Sequence, residues 1–169
     1  GMPDELREQM PVIKELLTAL GYEIIEKEGW EADDILGTVS AACKGEDKCF
    51  IATGDRDSLQ LISDNSVVLL ATSKGTVYYD KDKLFEDYGV EPYQMIELKA
   101  LQGDSSDNIP GVPGIGPKTA GDLIKKYTTV NYIYENIDSI DIRANLKDKL
   151  VLNKEQALLS YTLGTIRTD

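Results

Sequence analysis

The sequence predicts an α/β front half followed by an all-helical rear half. Three features carry that expectation. Between residues 22 and 53 a strand pattern, a helix pattern and a second strand pattern follow one another with short links. Two more strand patterns come next, "SVVLLAT" and "GTVYYD", joined by Ser73-Lys74-Gly75. Beyond Tyr127 only helical periodicity remains. Strand, helix and strand with short links are the signature of a right-handed βαβ unit and a parallel sheet.

Taken in order, Pro3 to Leu20 reads as a helix, with Leu6, Met10, Ile13, Leu16, Leu17 and Leu20 on one face and Gly21 as its stop. Pro11 interrupts the pattern and leaves open a start at that residue. "YEIIEKEG" reads as a strand, "EADDILGTVSAACKG" as a helix with an acidic first turn, and "KCFIATG" as a buried strand. "DRDSLQLI" is a loop running into a short helix. The "SVVLLAT" and "GTVYYD" patterns make a hairpin or adjacent edge strands. Asp80 caps a helix in "KDKLFEDYG", and Pro92 opens another in "EPYQMIELKALQG". The rear helices fall in "NYIYENI" and "ANLKDKLVLNKEQALLSYTLGTI".

The chain has 169 residues, 41% of them hydrophobic and 28% charged, which suits one domain, or one domain with an appendage, around a proper core. No apolar run approaches the ~18 residues of a membrane helix. The acidic, polar start does not read as a signal peptide, and Gly1-Met2 reads as a cloning scar. Net charge is −12 with no histidine, which argues against a generic nucleic-acid binder with a basic face. Cys43 and Cys49 are too few for a disulfide framework or the usual zinc sites, and read as buried reduced thiols.

Three acidic clusters stand out. "EADD" places Glu31, Asp33 and Asp34 at the start of a helix. An acidic first turn complements the helix dipole, but three acids in four residues also repel one another. "ATGDRDSLQL" places Asp55 and Asp57 directly after a strand, where an Asx-capped turn is the plain alternative. Parallel strands would bring these five carboxylates to the carboxyl edge of one sheet, where open α/β folds hold ligands. Hard oxygen-seeking ions, Mg²⁺ or Mn²⁺, are the natural neutralisers; a solvated acidic rim is the alternative. "GDSSDN" adds Asp104 and Asp107, either as capping residues or as further metal ligands.

A glycine-rich turn follows in "GVPGIGPKTAGDLIKKY". The reading is a helix, a tight turn at Gly114-Ile115-Gly116, and a second helix opening at Pro117. Gly114 and Gly116 permit positive φ and close backbone approach. The unspent N–H groups of the second helix make an anion site, helped by Lys118, Lys125 and Lys126. No Walker loop or dinucleotide fingerprint is present. The spacing matches a helix-hairpin-helix motif, which grips a DNA backbone without reading bases; a plain turn between packed helices is the alternative. The candidate DNA-binding residues are Gly111, Gly114, Ile115, Gly116, Lys118 and Thr119.

"EADDILGT", "IATGDRDSLQLI" and "LQGDSSDNIPGVPGIGPKTA", in this order and spacing, resemble the 5′ nuclease (5′-3′ exonuclease) domain of bacterial DNA polymerase I, within the flap endonuclease superfamily. The resemblance covers nearly the whole chain. It implies a partial PIN-like parallel-sheet core over residues 1–90 and a helical region with the helix-hairpin-helix over residues 91–169. It implies metal-dependent hydrolysis of DNA phosphodiesters near 5′ ends, flaps and RNA primers. Glu31, Asp33 and Asp34 would serve one metal and Asp55, Asp57, Asp104 and Asp107 the other, with no catalytic residue beyond the ligands. Two ions ~3.5–4 Å apart activate water and stabilise the attacking and leaving oxygens. K⁺ is a further candidate at the helix-hairpin-helix. Double-stranded DNA, polymerase domains of the same polypeptide and a bacterial cytoplasmic, nucleoid-associated setting are also implied.

The pattern departs from the family at its front. The family's first strand with its early aspartate, a further aspartate and a basic helical arch have no counterpart, so the chain reads as the C-terminal portion of that domain. A fragment that binds DNA but cleaves weakly or not at all is therefore expected. The competing readings are a non-catalytic helix-hairpin-helix module, a PIN-like ribonuclease without the DNA clamp, and a purely structural α/β protein.

Overall fold

The computed structural model describes residues 2–169. Helix α1 spans Asp4–Ala19 and runs straight through Pro11, so the later start is not adopted. It stops at Gly21, whose φ of 86° allows Tyr22 N–H to reach back to Leu17 O and Gly21 N–H to reach Thr18 O. No residue of α1 is buried.

The strand expected over Tyr22–Gly29 does not form. Its apolar residues are present, but Tyr22, Ile24 and Ile25 are exposed. A strand needs a ladder partner, and none faces this segment among the described residues. The expected βαβ unit is therefore replaced. Helix α2, Ala32–Ala42, leads into β1, Cys49–Thr53, and a 3₁₀ helix at Arg56–Leu61 carries the chain to β2, Ser66–Thr72. β1 and β2 pair in parallel, Ile51 opposite Val68, and β3, Gly75–Tyr79, closes an antiparallel hairpin on β2. The sheet order is β1-β2-β3.

Ser40 Oγ, near the end of α2, donates to Ser66 Oγ at the start of β2, 2.8 Å away. The helix thus runs back along the strands, and its acidic first turn lies at their carboxyl ends. The missing strand is not needed to bring the first two acidic clusters together. Cys43 and Cys49 are free and half-exposed rather than buried.

Helix α3, Lys81–Tyr88, has Asp80 accepting from Lys83 N–H at one end and Gly89 in the left-handed region at the other. A 3₁₀ turn at Pro92–Gln94 opens α4, Met95–Gln102. The rear comprises α5, Pro117–Tyr127; α6, Val130–Glu135; α7, Ala144–Leu152; and α8, Lys154–Gly164. The last two are separate helices broken at Asn153, where the sequence reads as one stretch.

Two apolar clusters hold these parts. The front cluster includes Ile51, Leu59, Val68, Leu70 and Leu84. The rear cluster is larger and includes Leu101, Ile124, Ile133 and Leu150. Tyr88 and Met95 pack against both and tie them together.

Candidate metal centre and nucleic-acid interface

Glu31 precedes α2, and Asp33 and Asp34 occupy its first turn. Asp34 Oδ1 accepts Arg167 N–H at 2.9 Å, and the Arg167 guanidinium lies 5.1 Å from the Trp30 ring centre. The C-terminal tail therefore reaches back to α2 and the first acidic cluster. Gly37 makes that crossing possible: a Cβ there would lie 2.3 Å from Arg167 O. Gln60 fixes the same tail twice, donating to Gly164 O and accepting from Ile166 N–H, both at 3.1 Å.

Asp55 follows β1 directly. Its Oδ1 accepts from Asp57 N–H at 2.9 Å, and its own N–H donates to Thr53 Oγ1 at 3.0 Å. The Asx cap is therefore real, and it turns Asp57 toward the interior.

Asp104 and Asp107 sit in a loop pinched shut by paired hydrogen bonds between Asp104 and Ile109, each 2.8 Å. Ser106 donates to Asp104 through both N–H and Oγ. Asn108 adopts a φ of 56°, tolerable for Asn. The loop's base is a backbone contact between Gly103 and Gly111; a Cβ on Gly111, at φ 61°, would lie 2.3 Å from Gly103 N.

These elements converge. One carboxylate oxygen from each of Asp57, Asp104 and Asp107 lies within 4.8 Å of the other two. Glu31, Asp33, Asp34, Asp57 and Asp107 line a shared cavity of about 490 Å³. Burial raises the Asp33 carboxyl above its usual range, and the nearby charges of Asp55, Asp57, Glu31 and Asp34 push it the same way. The shared lining by Glu31, Asp33, Asp34 and Asp57 places the first two clusters at one edge.

Lys99, from α4, stands in the middle of the second group. Its Nζ donates to Asp107 Oδ2 at 2.7 Å, lies 3.2 Å from Asp104 Oδ2 and also bonds Asp57 Oδ2. Burial alone would lower the Lys99 pKa, but the surrounding carboxylates outweigh it and hold the ammonium above the usual lysine range. Asp104 is held low, first by the Ser106 hydroxyl and then by Lys99. Asp57 behaves differently: burial raises it, and the pull of Lys99 does not cancel burial plus repulsion from Asp55 and Asp107. The two partners thus shift in the same direction, and burial, the largest influence on Asp57, decides its sign. The donors are all hard carboxylate oxygens, which suit divalent ions of the Mg²⁺ and Mn²⁺ type.

The glycine turn departs from expectation in several places. Residues 111–113 are not helical, so the helix before the turn is α4 rather than a segment abutting it. Gly114 has the positive φ, 78°, but Gly116 does not, at −95°. Gly111 is buried and its N–H donates to Ser160 Oγ at 2.9 Å. Ile115 is 3% exposed and its N–H donates to Val112 O. Gly111 and Ile115 thus shape the turn from inside, while Gly114, Gly116 and Lys118 face outward and Thr119 is half-exposed. Gly116 supplies no side-chain cap, so the first N–H groups of α5 are left for solvent or a ligand. A second cavity, about 530 Å³, runs from Asp57 and Asp104 to Lys118 on α5 and includes Arg56. It joins the carboxylate group to the opening of α5.

Sequence reasoning missed Lys99, Gln60, Arg167 and Lys149, whose Nζ donates to Gly114 O at 3.2 Å. The only signal for Lys99 was a basic residue in the otherwise apolar run "LKAL", five positions before Asp104.

Residues 1–89 match the family model of the 5′-3′ exonuclease N-terminal resolvase-like domain, and residues 90–169 that of the 5′-3′ exonuclease C-terminal SAM fold. The chain belongs to the 5′-3′ exonuclease family. The expectation that it represents only the C-terminal portion of such a domain is corrected, since family models of both parts match. DNA polymerase I of Bacillus subtilis is 44% identical over 171 residues, spanning 99% of this chain and 19% of that protein. A 5′-3′ exonuclease of Halalkalibacterium halodurans is 36% identical, spanning 99% of the chain and 56% of that protein. The chain thus spans about a fifth of the polymerase relative and just over half of the exonuclease relative.

Among solved structures, the zinc-bound T5 5′-exonuclease superposes with a TM-score of 0.79 at 25% identity, over 97% of this chain and 62% of that one. The bacteriophage T5 flap endonuclease in a complex with DNA and metal ions gives 0.78 at 25% identity, over 98% and 61%. The Rad2 catalytic core, at 21% identity and a TM-score of 0.58, shares the fold. These neighbours bear out a PIN-like α/β core followed by a helical region. No helix among the described residues is long and apolar enough to cross a membrane.

Proposed function

We propose that the chain is the metal-dependent nuclease unit of a 5′-3′ exonuclease or flap endonuclease. It would hydrolyse phosphodiesters of DNA, and of RNA primers, near 5′ ends and flaps during replication and repair. One observation carries the reading: carboxylates from two distant stretches, Asp57 on one side and Asp104 and Asp107 on the other, gather within 4.8 Å. Glu31, Asp33 and Asp34 would hold the first ion; Asp55, Asp57, Asp104 and Asp107 would hold or orient the second. Bound Mg²⁺ or Mn²⁺ would supply Lewis-acid stabilisation of charge developing on the phosphate. Asp34 has a narrower part, because one of its oxygens already accepts from Arg167 N–H.

The first turn of α5 would hold the DNA backbone through its free N–H groups and Lys118, with K⁺ as a candidate ion at the turn. Gly111 and Ile115 would act by shaping that turn. The cavity between the carboxylates and α5 supports one strand engaging both sites at once. We divide the chain at about residue 90, where the front and rear apolar clusters meet. Polymerase domains of the same polypeptide and a bacterial cytoplasmic setting would go with this reading; the bacterial DNA polymerase I relatives support the first. By itself the chain would bind double-stranded DNA and cleave weakly. The wholly unburied α1 and the lysine standing among the second-site carboxylates both support that attenuation.

The test is cleavage of a labelled 5′-flap duplex with Mn²⁺, alongside a DNA-binding assay in EDTA. Slow metal-dependent cleavage, lost in Asp57→Asn, and binding weakened in Lys118→Ala are expected. Cleavage that persists in EDTA sinks the metal reading. Binding with no cleavage at any Mn²⁺ concentration favours the non-catalytic helix-hairpin-helix module.

A further inference from the structure

We infer that Lys99 is a tethered counter-ion of the second metal position: its ammonium holds Asp57, Asp104 and Asp107 together when no ion is bound and must withdraw for a divalent cation to enter. The inference rests on the metal-dependent reading of the same carboxylates. Three acids brought within 4.8 Å repel one another, and each of them is bonded to Lys99 Nζ or lies in ion-pair contact with it. The Lys99 side chain is only 8% exposed, so it meets the solvent-facing carboxylates from their inner side. An ammonium and a divalent ion seeking the same oxygens cannot share them, since like charges at this spacing repel strongly. One ammonium also leaves the triangle with net negative charge, so the site still favours a cation of higher charge.

The displaced side chain has somewhere to go. Lys99 lines the carboxylate cavity and also the neighbouring 530 Å³ cavity that opens toward Lys118 and Asp122 on α5. Its flexible four-carbon stem allows the ammonium to swing from one to the other without moving α4. Lys99 would thereby set the affinity of the second ion and keep the metal-free carboxylates from forcing the loop at Asp104–Asp107 open. It is a positioning residue, acting through the carboxylates.

The test is Mn²⁺ titration of the whole chain by calorimetry and electron paramagnetic resonance, comparing wild type, Lys99→Met and Lys99→Arg. Lys99→Met, similar in length but uncharged, should bind Mn²⁺ at the Asp57 site about tenfold tighter or more. Its metal-free melting temperature should fall, and Mn²⁺ should restore it. Lys99→Arg, which keeps the charge, should stay near the wild type in both respects. Equal or weaker Mn²⁺ binding by Lys99→Met overturns the inference while leaving the metal reading intact. Failure of the wild type to bind Mn²⁺ overturns both. If Lys99→Met does not fold, wild-type lysine acylation decides: Lys99 should be protected without metal and modified faster at saturating Mn²⁺, and unchanged modification overturns the inference.

Discussion

The front and rear halves of the molecule are held by different forces. The rear, from Val90 onward, closes around an apolar cluster in which Ala100, Leu101, Ile124, Ile133 and Leu150 are wholly buried. The front has a smaller cluster, a sheet of 3 strands, and a first helix that buries nothing. What organises the front's functional edge is polar: Lys99 reaching across from α4, Gln60 gripping the C-terminal tail, and Arg167 N–H on Asp34. A rigid apolar scaffold thus carries the turn, while the metal edge is assembled by charge and by parts borrowed from the rear. Stability and site formation should therefore respond to different substitutions.

The largest effect is expected in the rear. Leu101→Ala removes a side chain with no exposure from the middle of the larger cluster. A loss of about 2–5 kcal/mol in urea unfolding is expected; a change under ~1 kcal/mol would mean the rear does not rest on its apolar packing.

Gly37→Ala attacks the link between halves. The new Cβ would collide with Arg167 O, a backbone atom, so the tail must shift off α2. A cost of about 1–3 kcal/mol is expected, with faster hydrogen exchange at Ile166, whose N–H bonds Gln60 Oε1. Unchanged exchange at Ile166 would show that the tail is not held by this contact.

The pH dependence sharpens the contrast within α4. Glu97 is buried, and burial raises its carboxyl above the ordinary 4.5 even though Val130 N–H donates to it. A raised carboxyl contributes stability below the unfolded value, and that contribution is lost as pH rises through the folded one. Glu97→Gln keeps an acceptor for Val130 and removes the charge. It should gain stability relative to the wild type as pH rises from 4.5 through the raised folded value. Parallel melting curves across that range would sink the assignment.

The smallest effect is expected at α1. Ile13 and Leu16 are about half exposed, at 49% and 56%. Replacing both by Lys should change stability by no more than ~0.5 kcal/mol. A larger loss would place α1 in a contact that the isolated chain does not display.

Much of this was legible in the sequence because it depends on neighbours along the chain. The caps at Asp55 and Asp80, the β2–β3 hairpin, and the helix opening at Pro117 follow from residues acting within a few positions. The sequence signal failed where a partner was needed: Tyr22, Ile24 and Ile25 read as strand residues, yet no strand lies beside them among the described residues. At Gly111 the glycine, read as part of the DNA-binding turn, also makes a backbone contact with Gly103 that the sequence does not announce.

By itself the sequence determined the three acidic clusters, the order of the main elements, and a helix opening free to meet an anion, since each is written in local chemistry. Only the tertiary structure decided which carboxylates share a space, and that a lysine from α4 stands among them. The reason is distance along the chain: Asp57 and Lys99 are 42 residues apart, Arg167 and Asp34 133 apart, and no local rule fixes which charges meet.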